Sequence, residues 1–541
     1  MLLIFGNPKN NLLKHFITLK NLIPNYKKVI NQQVLLNDDY KLIQSYLLNN
    51  FNIQSSIDSD IVNPYSRDWS NIPGNADMLI KPKNSKECSI IFQLCYKNKI
   101  PITLSAGKTN LTGSATPKGG IILSIEQLSN PGIHVDNNLK EVTCPVGIPL
   151  EDVRKKVLED SKKKLYYPVD PTSRNDAFVG GTIACNASGF MPGEKGATRY
   201  WVNEVEFLFP CGYYINARRG DYISKDGNFK FNIDDKEINF PIPTYKRPKI
   251  KNASGPYSSD SGEVDFVDLI IGSEGIFGMI LSCKLKLADR PKDYLELFLC
   301  LENEEKAIDF HDFLFDCFKG DMSKISALEY FGYNSQTYMK HRNFLFKSSS
   351  DVGIYIQIPI HKATVESKSI EWIDLINRFD SSIDIDSIIV LNDPLNWKKF
   401  FEARHSIPDN ALTKTRELGG VSIITDAIVP PENYRKYLQL IHKKLQEANI
   451  EYLLFGHLGD CHLHFHLIPT DSQDDNCLEI YDYMIDLSTE LGGVYSAEHG
   501  TGKRKRNDFR KCYGEKAVEM VRQSKLVVDP DLILNRGNVF N

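Results

Sequence analysis

The 541-residue sequence lacks several features that would point at once to a common protein class. Its eleven cysteines include no Cys-x-x-Cys pair, which argues against a disulfide scaffold, a zinc ribbon or an iron–sulfur segment and favours reduced thiols. No apolar run reaches the roughly 18–20 residues needed to cross a bilayer. Lys+Arg 65 against Asp+Glu 69 gives a net charge of −4, with no basic stripe for nucleic acid. These absences leave a large, near-neutral globular protein.

The amino-terminal segment is basic but does not match a common sorting signal. Five lysines precede the first acidic residue, Asp38, yet the segment is rich in Asn and Lys, whereas a mitochondrial transit peptide is rich in Arg and Ser. We therefore expect a cytoplasmic protein, with a mitochondrial location left open. Residues 1–60 are expected to be mostly helical, on the apolar spacing of Leu12, Leu13, Phe16 and Leu19.

From about Ala76 the sequence alternates between strand-like runs, glycine-containing loops and helix-like segments, which is typical of an α+β domain. The spacing of Cys88, Ile91, Phe92 and Cys95 predicts a helix over Ser85–Asn98. Short β-type runs are predicted further along the chain, at Ile100–Leu104, Val352–Ile358 and Ile388–Leu391.

Three glycine-containing segments have the composition of loops that approach a ligand with their backbone. They are residues 101–113, residues 168–189 and residues 271–280. Gly107-Lys108-Thr109 resembles the end of a nucleotide-triphosphate loop, but Ile102 stands where that loop needs its leading glycine. No Gly-x-Gly-x-x-Gly opens a helix, so the mark of a Rossmann dinucleotide site is also missing.

Together the three segments resemble the FAD-binding domain of the vanillyl-alcohol oxidase and p-cresol methylhydroxylase superfamily. The resemblance implies an α+β fold with a two-lobed FAD domain, and bound FAD. Many relatives have Arg-Gly-Gly-Gly where this chain has Ser105–Lys108, so Lys108 would bring its charge to the phosphates from a different position. The first loop has no His or Cys to tether the flavin, so we expect non-covalent FAD. The implied FAD-binding residues are Ser105, Ala106, Gly107, Lys108, Thr109, Asn110, Gly113, Pro171, Gly180, Gly181, Thr182, Ala184, Asn186, Gly189 and Gly278.

Five of the twelve histidines fall within 43 residues, at positions 457, 462, 464, 466 and 499. Alternation with Leu463 and Phe465 predicts a strand with the three central histidines on one face. That face could be the polar outer side of a half-buried strand. Alternatively, the imidazoles could converge with a carboxylate on zinc or another divalent ion. Glu498, beside His499 in a glycine-bounded loop, is the candidate carboxylate.

These two motifs, with Asp529-Pro530 and Leu534-Asn535 near the end, resemble the C-terminal domain of FAD-linked oxidases. That domain occurs in D-lactate dehydrogenases, D-2-hydroxyglutarate dehydrogenases and glycolate oxidase. The resemblance implies that the metal, zinc or manganese, is bound by His457, His464 and Glu498. It implies that His499 is the catalytic base and that Arg404 binds the substrate carboxylate. His466 would be a second substrate contact.

The departures from this pattern lie around the substrate. Cys461 and His462 replace the common Gly-Asn, and His466 stands where relatives often have Asn. Ile424 comes just before Thr425-Asp426, where some relatives carry a carboxylate-binding lysine. The redox chemistry should therefore transfer more safely than the identity of the substrate.

The resemblance predicts oxidation of a small 2-hydroxy acid, of D configuration, by FAD with a divalent metal. The electron acceptor stays open between an electron-transfer flavoprotein, a cytochrome, a quinone and oxygen, and a homodimer stays open as well. A redox-neutral enzyme of the alkyl-dihydroxyacetonephosphate synthase kind and a non-catalytic FAD-binding subunit are the alternatives. We expect a helical extension over residues 1–72 and the FAD domain over residues 73–288. An α+β (ferredoxin-like) substrate or cap domain is expected over residues 289–490, and a segment that returns to the flavin over residues 491–541.

Overall fold

The computed structural model describes residues 39–233 and 236–541, without the side chains of residues 232–236. The predicted helical spacing at Leu12–Leu19 lies outside the described residues. The helix predicted over Ser85–Asn98 is confirmed with those bounds. It begins where the Asn84 side chain accepts a hydrogen bond from the Glu87 backbone N–H, and it ends at Lys99 in the left-handed conformation.

The described helices accompany three sheets of four or more strands and two strand pairs. In chain order they are α1 Tyr40–Phe51, α2 Ser59–Val62, α3 Ser85–Asn98, α4 Leu150–Asp160, α5 Val179–Cys185, α6 Thr198–Trp201, α7 Phe266–Ile270, α8 Glu304–Phe318, α9 Arg342–Leu345, α10 Val365–Phe379, α11 Pro394–Glu417, α12 Pro431–Glu447, α13 Asp474–Glu490 and α14 Arg506–Val528. None of these helices is both long and apolar enough to cross a membrane.

The amino-terminal half contains two sheets, which correspond to two lobes. The first has four strands in the order β1 (Ser55–Ser56), β2 (Met78–Ile80), β4 (Ile121–Ser124), β3 (Ile102–Ser105). The second is antiparallel, in the order β5 (His134–Asp136), β6 (Glu141–Pro145), β12 (Met279–Lys286), β8 (Val202–Leu208), β9 (Tyr214–Arg218). Two short pairs accompany them, β7 (Leu165–Tyr166) with β13 (Ala288–Asp289) and β10 (Asn228–Ile233) with β11 (Lys236–Pro241).

The second half is built on a seven-stranded antiparallel sheet. Its order is β17 (Ile389–Val390), β14 (Asp293–Leu301), β16 (Val352–Ile360), β15 (Ala327–Phe331), β19 (Glu451–His457), β20 (His462–Ile468), β18 (Ile423–Ile424). The β-runs predicted from residues 352 and 388 are both in this sheet. The predicted histidine strand is β20, and all seven of its residues are buried. A solvated outer face for these histidines was one interpretation of the sequence, and the structure excludes it.

The chain returns from the second half to the first. Asn535 N donates to Ile102 O at 2.8 Å, and Ile102 N donates to Ile533 O at 2.9 Å. Lys503 N donates to Thr112 O at 2.8 Å. The loop that carries Glu498 and His499 and the segment after α14 therefore pack against the glycine loop that follows β3.

Among the described residues, the core consists of one large cluster and three smaller ones, and it contains thiols that are not bonded to one another. All eleven cysteines are free, as expected from their spacing. Cys144 and Cys283 face each other across paired strands with their sulfurs 3.8 Å apart. Burial raises the pKa of the Cys88 and Cys95 thiols, which keeps them protonated and unreactive.

Candidate active site

The glycine-containing loops line a cleft whose empty volume, including its open mouth, is about 1530 Å³. Sixteen residues that the sequence nominated line it: Ser105, Ala106, Gly107, Lys108, Thr109, Asn110, Pro171, Gly180, Gly181, Thr182, Ala184, Gly189, Gly278, His457, Glu498 and His499. Gly113 and Asn186 do not line the cleft. Gly113 O accepts from the Lys503 ammonium, and Asn186 Oδ1 accepts from Arg199 N.

Close backbone contacts shape the wall of this cleft. A Cβ at Gly107 would lie 1.9 Å from Asp176 O, and one at Gly181 would lie 3.1 Å from the Ala106 methyl group. Neither position can hold a side chain without moving its neighbour. Around these two glycines the wall is therefore main chain and small groups, which is the lining that a diphosphate requires. The residues present fit FAD.

Lys108 has a partner outside the cleft. Its Nζ donates to Pro64 O at 3.0 Å and lies 4.2 Å from the centre of the Tyr65 ring. The residue lines the cleft with φ of 59°, a left-handed conformation. Its charge is thus directed toward the Pro64 and Tyr65 side of the loop rather than held free at the phosphate cradle.

Sheet register brings a carboxylate and two histidines into one line across three strands. Glu329 of β15 is paired with His457 of β19, and His457 is paired with His462 of β20. His464 follows two residues later on the same face. Gly456 permits this approach, because its φ is 143° and a Cβ there would lie 3.1 Å from the His464 ring. On the opposite face Phe465 packs against His442 of α12, with ring centres 5.4 Å apart.

Glu329 and His457 form a buried ion pair. His457 Nδ1 lies 2.6 Å from Glu329 Oε1, and Arg404 donates to Glu329 Oε2 at 2.8 Å. Burial opposes ionisation of both groups, but the opposite charges dominate. They raise the pKa of His457 to about 10 and lower the pKa of Glu329 to about 2. The Nδ1 of His457 is thereby occupied, and its Nε2 lies 3.3 Å from Glu498 Oε1.

His464 is held in the opposite charge state. Its Nδ1 donates to Thr425 O at 2.9 Å, which leaves Nε2 with its lone pair. Burial, together with the neighbouring His462, lowers the pKa of His464 to about 3, so that the ring is neutral. The ring stacks on His499 with centres 5.8 Å apart and planes 7° apart.

Asp426 organises the loop that carries Glu498 and His499. Its carboxylate accepts from the backbone N–H groups of both residues, at 3.1 and 3.0 Å, and from Lys505 Nζ at 2.9 Å. The His499 Nδ1 lies 3.6 Å from Asp426 Oδ2. Burial lowers the pKa of His499 below its usual value, against the opposing effect of Asp426.

A buried lysine fixes the charge of Glu498. Lys251 Nζ lies 2.5 Å from Glu498 Oε1 and 3.2 Å from Asp460 Oδ2. Burial opposes ionisation of Glu498, but Lys251 and His457 hold its pKa well below the usual range. The carboxylate is therefore ionised, which is the form that binds a cation.

Four of these side chains could hold a metal ion. One ligand atom from each of His457, His462, His464 and Glu498 lies within 4.8 Å of all the others. In His457 and His464 the Nδ1 atoms have hydrogen-bond partners, which is the arrangement that orients a histidine to bind metal through Nε2. The residues present fit a divalent ion, which would take the place of the Nε2 proton of His457.

Arg404 and His466 stand beside this cluster rather than in it. The Arg404 guanidinium lies 4.4 Å from the centre of the Phe190 ring, and Phe190 lines the cleft. His466 is fully buried, its Nε2 is 2.5 Å from Ser422 Oγ, and burial lowers its pKa to about 4. Arg404 is thus one aromatic ring away from the cleft, whereas His466 faces β18.

Sequence reasoning did not identify Glu329, Asp426 or Lys251. Glu329 and Asp426 each interrupt an apolar strand-like run with one carboxylate, which is a detectable signal because a buried charge needs a partner. Lys251 belongs to a basic loop segment with no such signal.

Comparison with known proteins agrees with this geometry. Residues 76–218 match the family of FAD binding domains, and residues 346–539 match the C-terminal domain of FAD linked oxidases. The chain is 26% identical to a D-lactate dehydrogenase of Anaerostipes hadrus, over 89% of this chain and 94% of that protein. It is 24% identical to a D-2-hydroxyglutarate dehydrogenase of Xanthomonas citri pv. viticola, over 88% and 92%.

The fold also matches solved structures. Crystalline p-cresol methylhydroxylase with bound substrate superimposes with a TM-score of 0.65 at 13% identity, over 96% of this chain and 97% of that one. Both matched ranges contribute residues to the cleft, and the two relatives are dehydrogenases by name. The chain therefore contains an FAD binding domain and the C-terminal domain of FAD linked oxidases, and it shares its fold with p-cresol methylhydroxylase.

Proposed function

We propose that the protein oxidises a small 2-hydroxy acid of D configuration to the 2-oxo acid, with FAD as the electron acceptor. The observation that carries the proposal is the convergence of His457, Glu498 and His499 on the cleft that fits FAD. The names of the D-lactate and D-2-hydroxyglutarate dehydrogenases that cover most of the chain support the same substrate class. The carbon loses a hydride and the hydroxyl loses a proton.

Bound FAD supplies a two-electron acceptor, and a divalent ion held by His457, His464 and Glu498 supplies positive charge that lowers the pKa of a hydroxyl group. His499 is the proposed base. Its Nδ1 is turned toward Asp426, so its Nε2 is the atom that takes the hydroxyl proton. Burial keeps this imidazole neutral and ready to accept a proton near pH 7.

Arg404 is the proposed partner of the substrate carboxylate. One nitrogen of the Arg404 guanidinium donates to Glu329, and the guanidinium lies over the Phe190 ring at the cleft wall. These two contacts fix the direction of its remaining donors. A planar guanidinium with free donors is suited to a carboxylate. His466, fully buried behind the cluster, would act on the substrate only through Ser422 and the neighbouring strand.

An anaerobic flavin-reduction screen tests the proposal. The FAD-loaded protein is mixed with the D and L forms of lactate and 2-hydroxyglutarate, and with glycolate, while oxidised flavin absorbance is followed. We expect bleaching by a D acid that is much faster than bleaching by its L form. Absence of bleaching by every acid would contradict the proposal.

Protein whose flavin has been reduced by substrate is then used to identify the electron acceptor. An electron-transfer flavoprotein, a cytochrome, a quinone analogue or oxygen is added to it, and the recovery of oxidised flavin absorbance is timed. We expect one acceptor class to be faster than the others. The control is protein reduced by dithionite, whose recovery should be the same because the flavin alone passes on the electrons.

A further inference from the structure

We propose that His462 is a fourth protein ligand of the divalent ion, so that the chain supplies three imidazoles and one carboxylate. This inference rests on the metal site of the proposed function and deepens it. The FAD-linked oxidase pattern that the sequence resembles has asparagine at this position, so the additional imidazole is a property of this chain.

Strand register carries the first part of the argument. His462 is the direct cross-strand partner of His457 in the β19–β20 hairpin, and it is two residues from His464 on the same face. The His462 ring centre lies 4.6 Å from that of His464 and 5.8 Å from that of His457. A ligand atom of His462 lies within 4.8 Å of those of the other three residues.

The hydrogen-bonding state of His462 carries the second part. The residue is fully buried, and neither ring nitrogen has a hydrogen-bond partner among the residues that the structure describes. Asp426 Oδ1 comes within 3.2 Å of Nε2, but the ring is not oriented to make a hydrogen bond to it. Buried imidazole nitrogens without partners are costly, and coordination of an ion would satisfy one of them.

The other ligands show that this site is built rather than accidental. His457 and His464 each have Nδ1 occupied, by Glu329 and by the Thr425 carbonyl, while Lys251 Nζ lies 2.5 Å from Glu498 Oε1. His462 is the one histidine of the cluster in which no outer group occupies a ring nitrogen. The remaining buried histidine of the strand, His466, is bound to Ser422 and lies outside the cluster.

A four-residue ligand set restricts the identity of the ion. Zinc in proteins is almost always four-coordinate when all its ligands come from the protein, so His462 would complete its shell. A 2-hydroxy acid that binds through its carboxylate and hydroxyl oxygens needs two further positions. An ion that accepts six ligands, such as Mn²⁺, meets both requirements.

Manganese binding tests the inference directly. FAD-loaded protein is stripped with a chelator, dialysed and titrated with Mn²⁺ while the electron paramagnetic resonance signal of free Mn²⁺ is recorded. Protein carrying ¹⁵N-labelled histidine is then studied by pulsed resonance to count the imidazole nitrogens on the bound ion. We expect one tightly bound Mn²⁺ with three imidazoles.

The variants His462→Asn and His466→Asn form a matched pair, since both replace a fully buried histidine of β20. We expect His462→Asn to weaken Mn²⁺ binding at least about tenfold, because removal of even an outer-shell partner typically costs roughly 10–100-fold in affinity. Its bound ion should show two imidazoles. His466→Asn should keep the wild-type affinity and three imidazoles.

Each outcome decides a separate point. Two imidazoles in the wild type, or equal Mn²⁺ affinity in wild type and His462→Asn, would overturn the role of His462. No Mn²⁺ binding at all would overturn the inference together with the metal site of the proposed function. Flavin reduction by hydroxy acids, measured on the same samples, tests the oxidation reaction independently. If His462→Asn does not fold, the imidazole count in the wild type still decides.

Discussion

His499, the proposed base, has its ring beside His464 and its backbone N–H bonded to Asp426. Its pKa is lowered by burial, so the neutral ring dominates at and above pH 6.5. Protonation at lower pH removes the lone pair that would accept the substrate proton. The rate of flavin reduction should therefore rise with pH through the pKa of His499 and level off above it.

His499→Ala should retain FAD and lose about 10²–10⁴-fold in the rate of flavin reduction, the usual contribution of a general base. Its remaining rate should no longer fall as the pH is lowered through the pKa of His499. Stopped-flow absorbance measures both quantities. The exposed His361→Ala is the control and should behave as wild type. A wild-type rate in His499→Ala would refute the assignment.

Lys503 is a buried lysine whose titration should have a measurable effect on stability. Its Nζ donates to Asn538 Oδ1 at 2.6 Å and to Gly113 O at 3.1 Å. Burial lowers its pKa to about 7, although Glu274 opposes this, whereas an unfolded lysine titrates near about 10.4. Between these values the unfolded chain binds more protons than the folded one. The folded state is therefore favoured as the pH rises from about 7 to 10.

Compared with Lys503→Met, the wild type should gain up to about 1.4 kcal/mol of unfolding free energy per pH unit in this range. Urea unfolding at pH 7, 8 and 9 measures the difference. Lys516→Met removes an exposed lysine, and its curves should stay parallel to those of the wild type. A constant difference between wild type and Lys503→Met would contradict the predicted titration.

At the scale of elements, Glu274 connects the glycine loops to the loop of His499. Its carboxylate accepts from Thr501 N at 2.6 Å and Gly502 N at 2.7 Å, and it also accepts from the Ser114 hydroxyl. The Glu274 side chain is buried, so water could not take its place as the acceptor for these donors. The geometry of the FAD cleft and the position of the base are therefore set by the same carboxylate.

Glu274→Ala should leave at least two buried backbone donors unpaired, at about 1–3 kcal/mol each. We expect a lower melting temperature, weaker FAD binding and slower flavin reduction together. Thermal unfolding and FAD titration measure these effects, and Glu263→Ala, at an exposed position, is the control. Loss of stability without any change in FAD affinity would contradict the proposed connection.

Local pattern predicted elements well where periodicity is strong. The helix over Ser85–Asn98 and the histidine strand were both predicted, because each depends on neighbours along the chain. Burial of that strand on both faces was not predicted. It results from the flanking strands β18 and β19, from α12 on one side and from the FAD lobe on the other, and alternation alone cannot distinguish water from another domain.

The contacts between site residues could not be predicted from the local sequence pattern. Glu329 is 128 residues from His457, and Ser188 is 310 residues from Glu498, yet each pair is in contact. Such contacts depend on which strands become neighbours in the seven-stranded sheet. Family resemblance supplied the ligand set, but not the roles of Glu329, Asp426 and Lys251 in fixing its charge.

For the whole molecule, the cleft is a composite of residues from both halves of the chain. No histidine or cysteine occurs in the loop from Ile102 to Gly113. Cys185, which lines the cleft, has its pKa raised by burial to about 12, so it is a protonated thiol at neutral pH. Both facts favour a flavin that is bound without a covalent link.

Acid precipitation should therefore leave all flavin absorbance in the supernatant. Excess FAD should raise the melting temperature of flavin-depleted protein, since a ligand at 100 times its Kd adds about 2.7 kcal/mol. Flavin that stays with the precipitate would contradict non-covalent binding. Fluorescence of the supernatant gives the amount released, and free FAD mixed with an unrelated protein is the control.

Chelation should separate the two cofactors. Because the predicted metal ligands are separate from the glycine loops proposed to hold FAD, removing the ion should abolish substrate-driven flavin reduction but leave the visible flavin spectrum unchanged. Activity should return on adding back a divalent ion. A protein that remains fully active after verified metal removal would contradict the metal-assisted reaction.

The pairing of Asn535 with the β3 edge also sets an order of events during translation. The Asn535 side-chain oxygen accepts a hydrogen bond from the Leu104 backbone N–H, and the two residues are 431 positions apart. At roughly 5–20 residues per second the ribosome needs roughly 20–90 s to reach the second partner after making the first. During that interval the first glycine loop lacks the segment that closes its edge. We therefore expect flavin capture in its final geometry to be a late step, which follows synthesis of the carboxy-terminal half of the chain.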